Sequence, residues 1–340
     1  MTILITGGLG FIASHAATTL LDSNQELVLL DNLCNSQQSV HEKLEKLSGK
    51  KIPFYQGDVR DKDLLKQIFE SHAISAVMHF AGLKSVAESV KDPMLYFDNN
   101  VGGTITLLEV MQEHSVYQFI FSSSATVYGV PQYLPYDEDH PTKPINPYGQ
   151  TKLQVEEILK DLAASDNRWA IACLRYFNPV GAHPSHLIGE LPNDHPNNLM
   201  PFMMQVASKQ RPFLTVFGND YETADGTGER DYIHVMDLAE GHAKALSLIQ
   251  KTPGMQIINL GTGKPHSVLE MVNTFEKATG ESVPLQFGPR RDGDLAVYYA
   301  SADRANAVLQ WQATRTLEEM CSSSWQFQLQ HQSSLSSLDN

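Results

Sequence analysis

Apolar and β-branched runs recur through the first half of the chain at Ile3–Thr6, Leu27–Asp31, Pro53–Gln56, Ala76–His79 and Phe119–Ser122. Between them lie segments with helix-like character, Phe11–Asp22, Ser39–Leu47, Asp61–Glu70 and Pro93–Glu113. Alternation of this kind predicts parallel strands joined by helical crossovers. The runs are apolar throughout rather than at every second position, which suits a sheet covered on both faces. An α/β fold is therefore expected, with a doubly wound parallel sheet. Further on, Asn146 is a good helix cap and Pro147 a good first helical residue. A helix from there to about Ala164 would carry Leu153, Ile158, Leu159 and Leu162 as its apolar stripe.

After Leu174 the rhythm breaks. Asn178–Asn197 is rich in Pro, Gly, His and Asn and reads as a long loop, of a length that is usually functional or disordered. The remainder mixes short strands (Leu214–Phe217, Gln256–Leu260) with helices (Val235–Gln250, Ser267–Ala278, Thr316–Leu329). We expect a domain over 1–177 and a smaller α/β lobe over 178–340, with 235–260 a segment able to return to the first. The Ser-rich tail after His331 is expected to fray.

Gly7-Gly-Leu-Gly-Phe-Ile-Ala13 follows the first strand and opens the first helix, the context that a dinucleotide fingerprint requires. Gly7 and Gly10 would tighten the turn and let a pyrophosphate approach the helix N-terminus, and Ala13 takes the third glycine place. Asp31 ends the second run about 20 residues on, where an acid accepts hydrogen bonds from ribose hydroxyls. A carboxylate there repels a 2′-phosphate, so NAD is favoured over NADP. Asn32, Asn35 and Ser36 add polar contacts without a basic residue. Asp58-Val59 and Phe80-Ala81-Gly82 fall at carboxyl ends of strands, where open sheets bind ligands. The fold expectation becomes one of Rossmann type.

Tyr148 and Lys152 stand four residues apart on the predicted helix, hence on one face. Tyrosine, with a pKa of about 10, is a poor base near neutrality. A lysine ammonium and a positively charged nicotinamide would both favour tyrosinate. Ser122-Ser-Ser124 ends the fifth run at the same sheet edge, and Ser124 would orient a substrate alcohol or relay its proton.

Composition narrows the field. The 340 residues are 42% hydrophobic and 19% charged, ordinary for a globular protein. No apolar run is long enough to span a bilayer. Met1 leads directly into a strand-like run, so no leader is expected and the chain reads as cytoplasmic. A formal charge of −14 disfavours nucleic acid or an anionic membrane as partner. Cys34, Cys173 and Cys321 form no CxxC pair, and His183-Pro-Ser-His186 is the only close histidine pair. No metal site is expected.

With these residues placed, the chain resembles the extended short-chain dehydrogenase/reductases and, within them, the UDP-glucose 4-epimerase family. The blocks that carry the likeness are Asp31-Asn-Leu-Cys-Asn-Ser36, His79-Phe-Ala-Gly-Leu-Lys84, Ser122-Ser-Ser-Ala-Thr-Val-Tyr-Gly129, Leu174-Arg-Tyr-Phe-Asn-Pro-Val-Gly-Ala-His-Pro184, Asn197-Asn-Leu-Met-Pro201 and Arg230-Asp-Tyr-Ile-His-Val-Met-Asp237. The likeness runs from Thr2 to about Trp325. It implies a retained NAD, oxidation of the sugar at C4 with Tyr148 as base, rotation of the 4-keto sugar, and its reduction on the other face. It assigns Phe11, Ile12, Lys84, Asn99, Ser122 and Phe177 to the cofactor. It assigns Asn178, Asn198, Phe217, Arg230, Arg291, Asp294 and Tyr298 to UDP-glucose or UDP-galactose, with the two arginines suited to clamp a diphosphate. Tyr298 is bulky, which implies poor use of N-acetylated sugars. Pairing through helices over Pro93–Glu113 and Pro147–Ala164 implies a homodimer. Two alternatives stand beside this: a nucleotide-sugar 4,6-dehydratase, for which Ala125-Thr126 supply no acid, and a catalytically silent NAD-binding regulator.

Overall fold

A computed structural model describes residues 1–191, 196, 198–291 and 293–336. Parts of the loop Asn178–Asn197 and of the Ser-rich tail lie outside the described residues, as does Asn197 at the head of its sequence block. The chain opens with β1 (Thr2–Thr6), α1 (Phe11–Asp22), β2 (Glu26–Asp31), α2 (Ser39–Ser48), β3 (Phe54–Gln56) and α3 (Lys62–Ser71). Next come β4 (Ile74–His79), α4 (Val86–Lys91), α5 (Pro93–Tyr96), α6 (Gly103–Glu113), β5 (Gln118–Ser122), α7 (Pro147–Ser165) and β6 (Ala170–Tyr176). The second half holds β7 (Asn178–Val180), α8 (Leu199–Ala207), β8 (Leu214–Phe217), β9 (Glu229–His234), α9 (Val235–Ile249) and β10 (Gly254–Leu260). It ends with β11 (Pro265–Ser267), α10 (Val268–Thr279), β12 (Leu285–Gly288), β13 (Val297–Tyr298), α11 (Asp303–Leu309) and α12 (Leu317–Ser336).

Seven parallel strands in the order β10-β6-β5-β4-β1-β2-β3 make the large sheet. The chain reverses direction across the sheet between β1 and β4, the point where such sheets open a ligand crevice at their carboxyl ends. Alternate residues of each strand serve opposite faces. Ile3, Ile5, Leu29, Met78, Ile120, Leu174 and Ile258 pack with α1 and α9. Leu4, Val28, Leu30, Val77, Phe119, Phe121 and Ile171 pack with α3, α6 and α7. Two buried faces explain why the strands read as unbroken apolar runs.

The stretch Gly254–Leu260 pairs along β6 and extends the large sheet, and α9 covers it. The smaller lobe is built on a separate core of Met200, Met203, Met204, Tyr232, Phe275 and Trp325, joining α8, α10 and α12. Strand β9 connects the parts, pairing with β7, β11 and β13.

The single helix expected over Pro93–Glu113 is three pieces: α5, a π-helical turn over Phe97–Gly102, and α6. The wider turn sets Asn99 and Asn100 inward, and Asn100 bonds to both the backbone N–H and carbonyl of Leu83 (2.8 and 3.0 Å). Its two consecutive glycines are poor helix formers, and Gly103 faces Val59 so closely that a Cβ would come within 2.6 Å. Among the described residues no helix is long and apolar enough to cross a membrane.

Candidate active site

The turn between β1 and α1 is tight because Gly7 sits at φ +67°, and a Cβ there would lie 2.7 Å from the Ala81 nitrogen. Helix α1 starts at Gly10 with no side-chain cap and no acid in its first turn. Its first backbone N–H groups therefore present a positive end to the crevice, suited to an anion such as a pyrophosphate. Asp31 accepts from the Leu9 and Leu33 backbone N–H groups (3.0 and 2.8 Å) and from Ser36 Oγ (2.7 Å), tying the glycine turn to the end of β2.

Gly7, Gly10, Phe11, Ile12, Asp31, Asn32, Asn35, Ser36, Val59, Phe80, Ala81, Gly82, Lys84, Asn99, Ser122, Ser124, Tyr148, Lys152 and Phe177 line one crevice above this turn. Asp58 does not line it. Its carboxylate is turned to Arg60, which lowers its pKa to about 2, and it orients Asn32 through a 3.1 Å bond. Cys34 also lines the crevice, its thiol pushed above the ordinary value by burial and by Asp31 and Asp58.

At the inner end, Asn146 caps α7 by accepting from the Gly149 N–H (2.8 Å), which sets Tyr148 in the first turn. Lys152 Nζ donates to the Ser122 carbonyl (2.8 Å) and lies 6.0 Å from the Tyr148 ring centre. Ser124 accepts from the Thr126 N–H and hydroxyl (3.2 and 3.0 Å) and lines the crevice together with Tyr148.

Burial pushes Tyr148 above the usual tyrosine value, with only Ser124 opposing, and it brings Lys152 down to about 8, with Glu156 opposing. The expectation from sequence set two cations beside the phenol, the lysine ammonium and a nicotinamide. The lysine alone does not make the phenol acidic, because its ammonium is spent on a carbonyl and both groups lose water. A further positive charge in the crevice is needed.

A second cavity adjoins the first. Asn178 and Asn198 line both, while Phe217, Arg230, Arg291 and Asp294 line the second. Asp294 pairs with Arg291 (2.7 Å) and Arg230 (3.6 Å), so the guanidinium groups converge on one point. Arg291 also lies 5.0 Å over the Phe217 ring. Tyr298 lines neither cavity and packs against Tyr136 and Phe177 at 5.3 and 4.9 Å.

Reasoning from sequence missed Thr126, Tyr176 and Glu190 in the first cavity and Arg211, Phe213 and Tyr221 in the second. Glu190 accepts from Asn198 (2.7 Å) and pairs with Lys84 (3.4 Å). Its place in the long loop was the one available hint. Among the described residues no cluster of His, Cys, Asp or Glu is arranged to hold a metal.

A doubly wound sheet, a glycine turn at its switch point and a Ser/Tyr/Lys set on the crevice wall define the class: an extended short-chain dehydrogenase/reductase. The model of the GDP-mannose 4,6 dehydratase family matches residues 4–324. The chain is 53% identical over 328 residues to UDP-glucose 4-epimerase of Bacillus subtilis, covering 96% of this chain and 97% of that protein. It is 52% identical over 326 residues to the enzyme of that name from Neisseria meningitidis serogroup C, at 96% coverage of each. The crystal structure of UDP-glucose-4-epimerase from Stenotrophomonas maltophila, with bound NAD and formylated UDP-arabinopyranose, superposes with a TM-score of 0.96 at 48% identity, covering 98% of this chain and 99% of that one. That of the Bifidobacterium longum enzyme with NAD+ and UDP gives 0.94 at 47% identity, with coverage of 98% and 99%. The chain belongs to the UDP-glucose 4-epimerase family.

Proposed function

We propose that the protein interconverts UDP-glucose and UDP-galactose by reversible oxidation at C4 to a 4-keto sugar, using a tightly held NAD. One observation carries this reading: Ser124, Tyr148 and Lys152 meet in the cofactor crevice, and Asn178 and Asn198 join that crevice to a cavity where two arginines converge. The crevice suits NAD because the uncapped start of α1 would hold the pyrophosphate and Asp31 the ribose. When bound, NAD supplies the redox acceptor and donor of the reaction and a positive ring charge.

Tyr148 takes the proton of the sugar 4-hydroxyl as base and returns it as acid. Ser124, its own oxygen held by Thr126, shares the proton path. Lys152 contributes a fixed positive charge that favours tyrosinate. Arg230 and Arg291 exchange Asp294 for the diphosphate, a charge-assisted and partly bidentate contact.

A dehydratase needs a free acid beside Ser124. Among the described residues the acids lining the two cavities are Asp31, Glu190 and Asp294, and each is engaged elsewhere: with the glycine turn, with Lys84 and Asn198, and with the arginines. We read the chain further as a cytoplasmic homodimer of galactose metabolism. Exposed Val90 and Met94, 62% and 73% accessible, support pairing on the α4–α6 face.

The test is to mix purified protein with UDP-galactose, without added cofactor. UDP-glucose should appear, and Tyr148→Phe should lose turnover while releasing as much dinucleotide on heat denaturation as the parent. Absence of bound dinucleotide, or undiminished turnover in the variant, overturns the reading.

A further inference from the structure

Helix α7 presents Tyr148, Lys152 and Glu156 at four-residue intervals, so the three share one face. All are buried, at 9%, 5% and 2% exposure. The first two reach the crevice; Glu156 does not line it. It turns instead to the back of the serine run, where its Oε1 accepts from the Ser123 hydroxyl at 2.5 Å. Ser123 lies between Ser122, whose carbonyl holds the Lys152 ammonium, and Ser124, which lines the crevice with Tyr148. The same carboxylate accepts from Arg175 Nε at 3.0 and 3.2 Å. Arg175 precedes Tyr176, whose phenol bonds to Ser122 Oγ. Three elements around the reacting groups, the end of β5, β6 and α7, thus meet at one carboxylate.

We propose that Glu156 is a positioning residue for the reaction: from behind the Ser122–Ser124 turn it holds that turn and the Lys152 side chain in one fixed relation. The inference rests on the epimerase reading for its kinetic part only. A buried ion pair adds little net stability over an apolar pair of the same size, and removing one partner leaves the other charge uncompensated. Here the uncompensated charge would be Arg175, 3% exposed, with Nη1 lacking a partner among the described residues and its guanidinium 4.8 Å from the Tyr128 ring. Other titratable groups facing the site are His79 on β4, Cys173 and Tyr176 on β6, and Tyr298 on β13. Glu156 is the anion that favours the ammonium form of Lys152.

The test compares the purified holoenzyme with Glu156→Gln, Ser123→Ala and Tyr148→Phe. Glu156→Gln keeps size and leaves Arg175 unbalanced. Its kcat should fall about tenfold or more with KM within about twofold, as expected for misplaced reacting groups. Tyrosinate is followed by ultraviolet difference titration, and the transition missing in Tyr148→Phe identifies Tyr148. In Glu156→Gln that transition should move to lower pH by about half a unit or more, the direction that an added positive charge imposes. The titration needs no turnover, so it tests the placement even if UDP-galactose proves not to be the substrate. Ser123→Ala keeps the ion pair and removes one bond; its kcat should fall about threefold or more, which covers the case of Glu156→Gln failing to fold. Unchanged kcat in the folded variants, or a loss matched by lost folded protein with the titration unmoved, overturns the proposal.

Discussion

At the scale of single residues, the site depends on a few positions that tolerate no side-chain change. Gly7 shows this most directly. Its φ of +67° is costly for any residue with a Cβ, and that Cβ would meet the Ala81 backbone at 2.7 Å. Neither constraint is relieved by moving a flexible side chain. Gly7→Ala should cost about 2 kcal/mol or more of stability and displace the glycine turn from the cofactor. Dinucleotide released on heat denaturation, measured against the parent, should drop well below stoichiometric; full retention would show that the turn adapts. Gly7 was legible in the sequence because the motif requires its backbone. Glu156 and Glu190 were not legible, since each is an ordinary acid whose meaning comes from partners 8 to 106 residues away in the chain.

At the scale of elements, α7 shows how local rules place chemistry. Asn146 and Pro147 start the helix where their types predict, and the start decides which way Tyr148 points. Asn146→Ala removes the bond to the Gly149 N–H and should cost about 1 kcal/mol. Urea denaturation should show it as a lower midpoint at unchanged slope. A midpoint within error of the parent would mean that Pro147 and packing suffice. The same rules fail over 93–113, where the sequence reads as one helix and the molecule makes a π-helical turn. Periodicity cannot show that turn, because it is held by Asn100 reaching the Leu83 backbone and Thr151 across the fold.

For the whole molecule, burial of neutral histidines governs its response to acid. His15 and His79 are lowered to about 3, and His234 and His242 to about 4, each chiefly by desolvation. Their folded values lie below the unfolded one of about 6.5, so the unfolded chain binds more protons as pH falls. The stability is complete above pH 6.5 and is lost as pH falls towards the folded values. Between pH 6.5 and 5.5 each contributes a loss of about 1 kcal/mol, or about 4 kcal/mol together. Glu138, Asp231 and Asp237, raised by burial, act in the opposite direction and reduce the drop. Urea midpoints at constant dinucleotide occupancy should therefore fall from pH 7.5 to 5.5, and a flat profile would contradict the assignment. The sequence by itself determined the alternation of strands and helices, the glycine turn and the Ser/Tyr/Lys set, because local backbone geometry and residue spacing along one helix are short-range properties. Tertiary contacts alone settled that Gly254–Leu260 joins the large sheet, that Asp294 sits between two arginines, and that burial raises the Tyr148 phenol above its usual value. Those outcomes depend on desolvation and on contacts between distant segments, which exist only once the chain has closed around them.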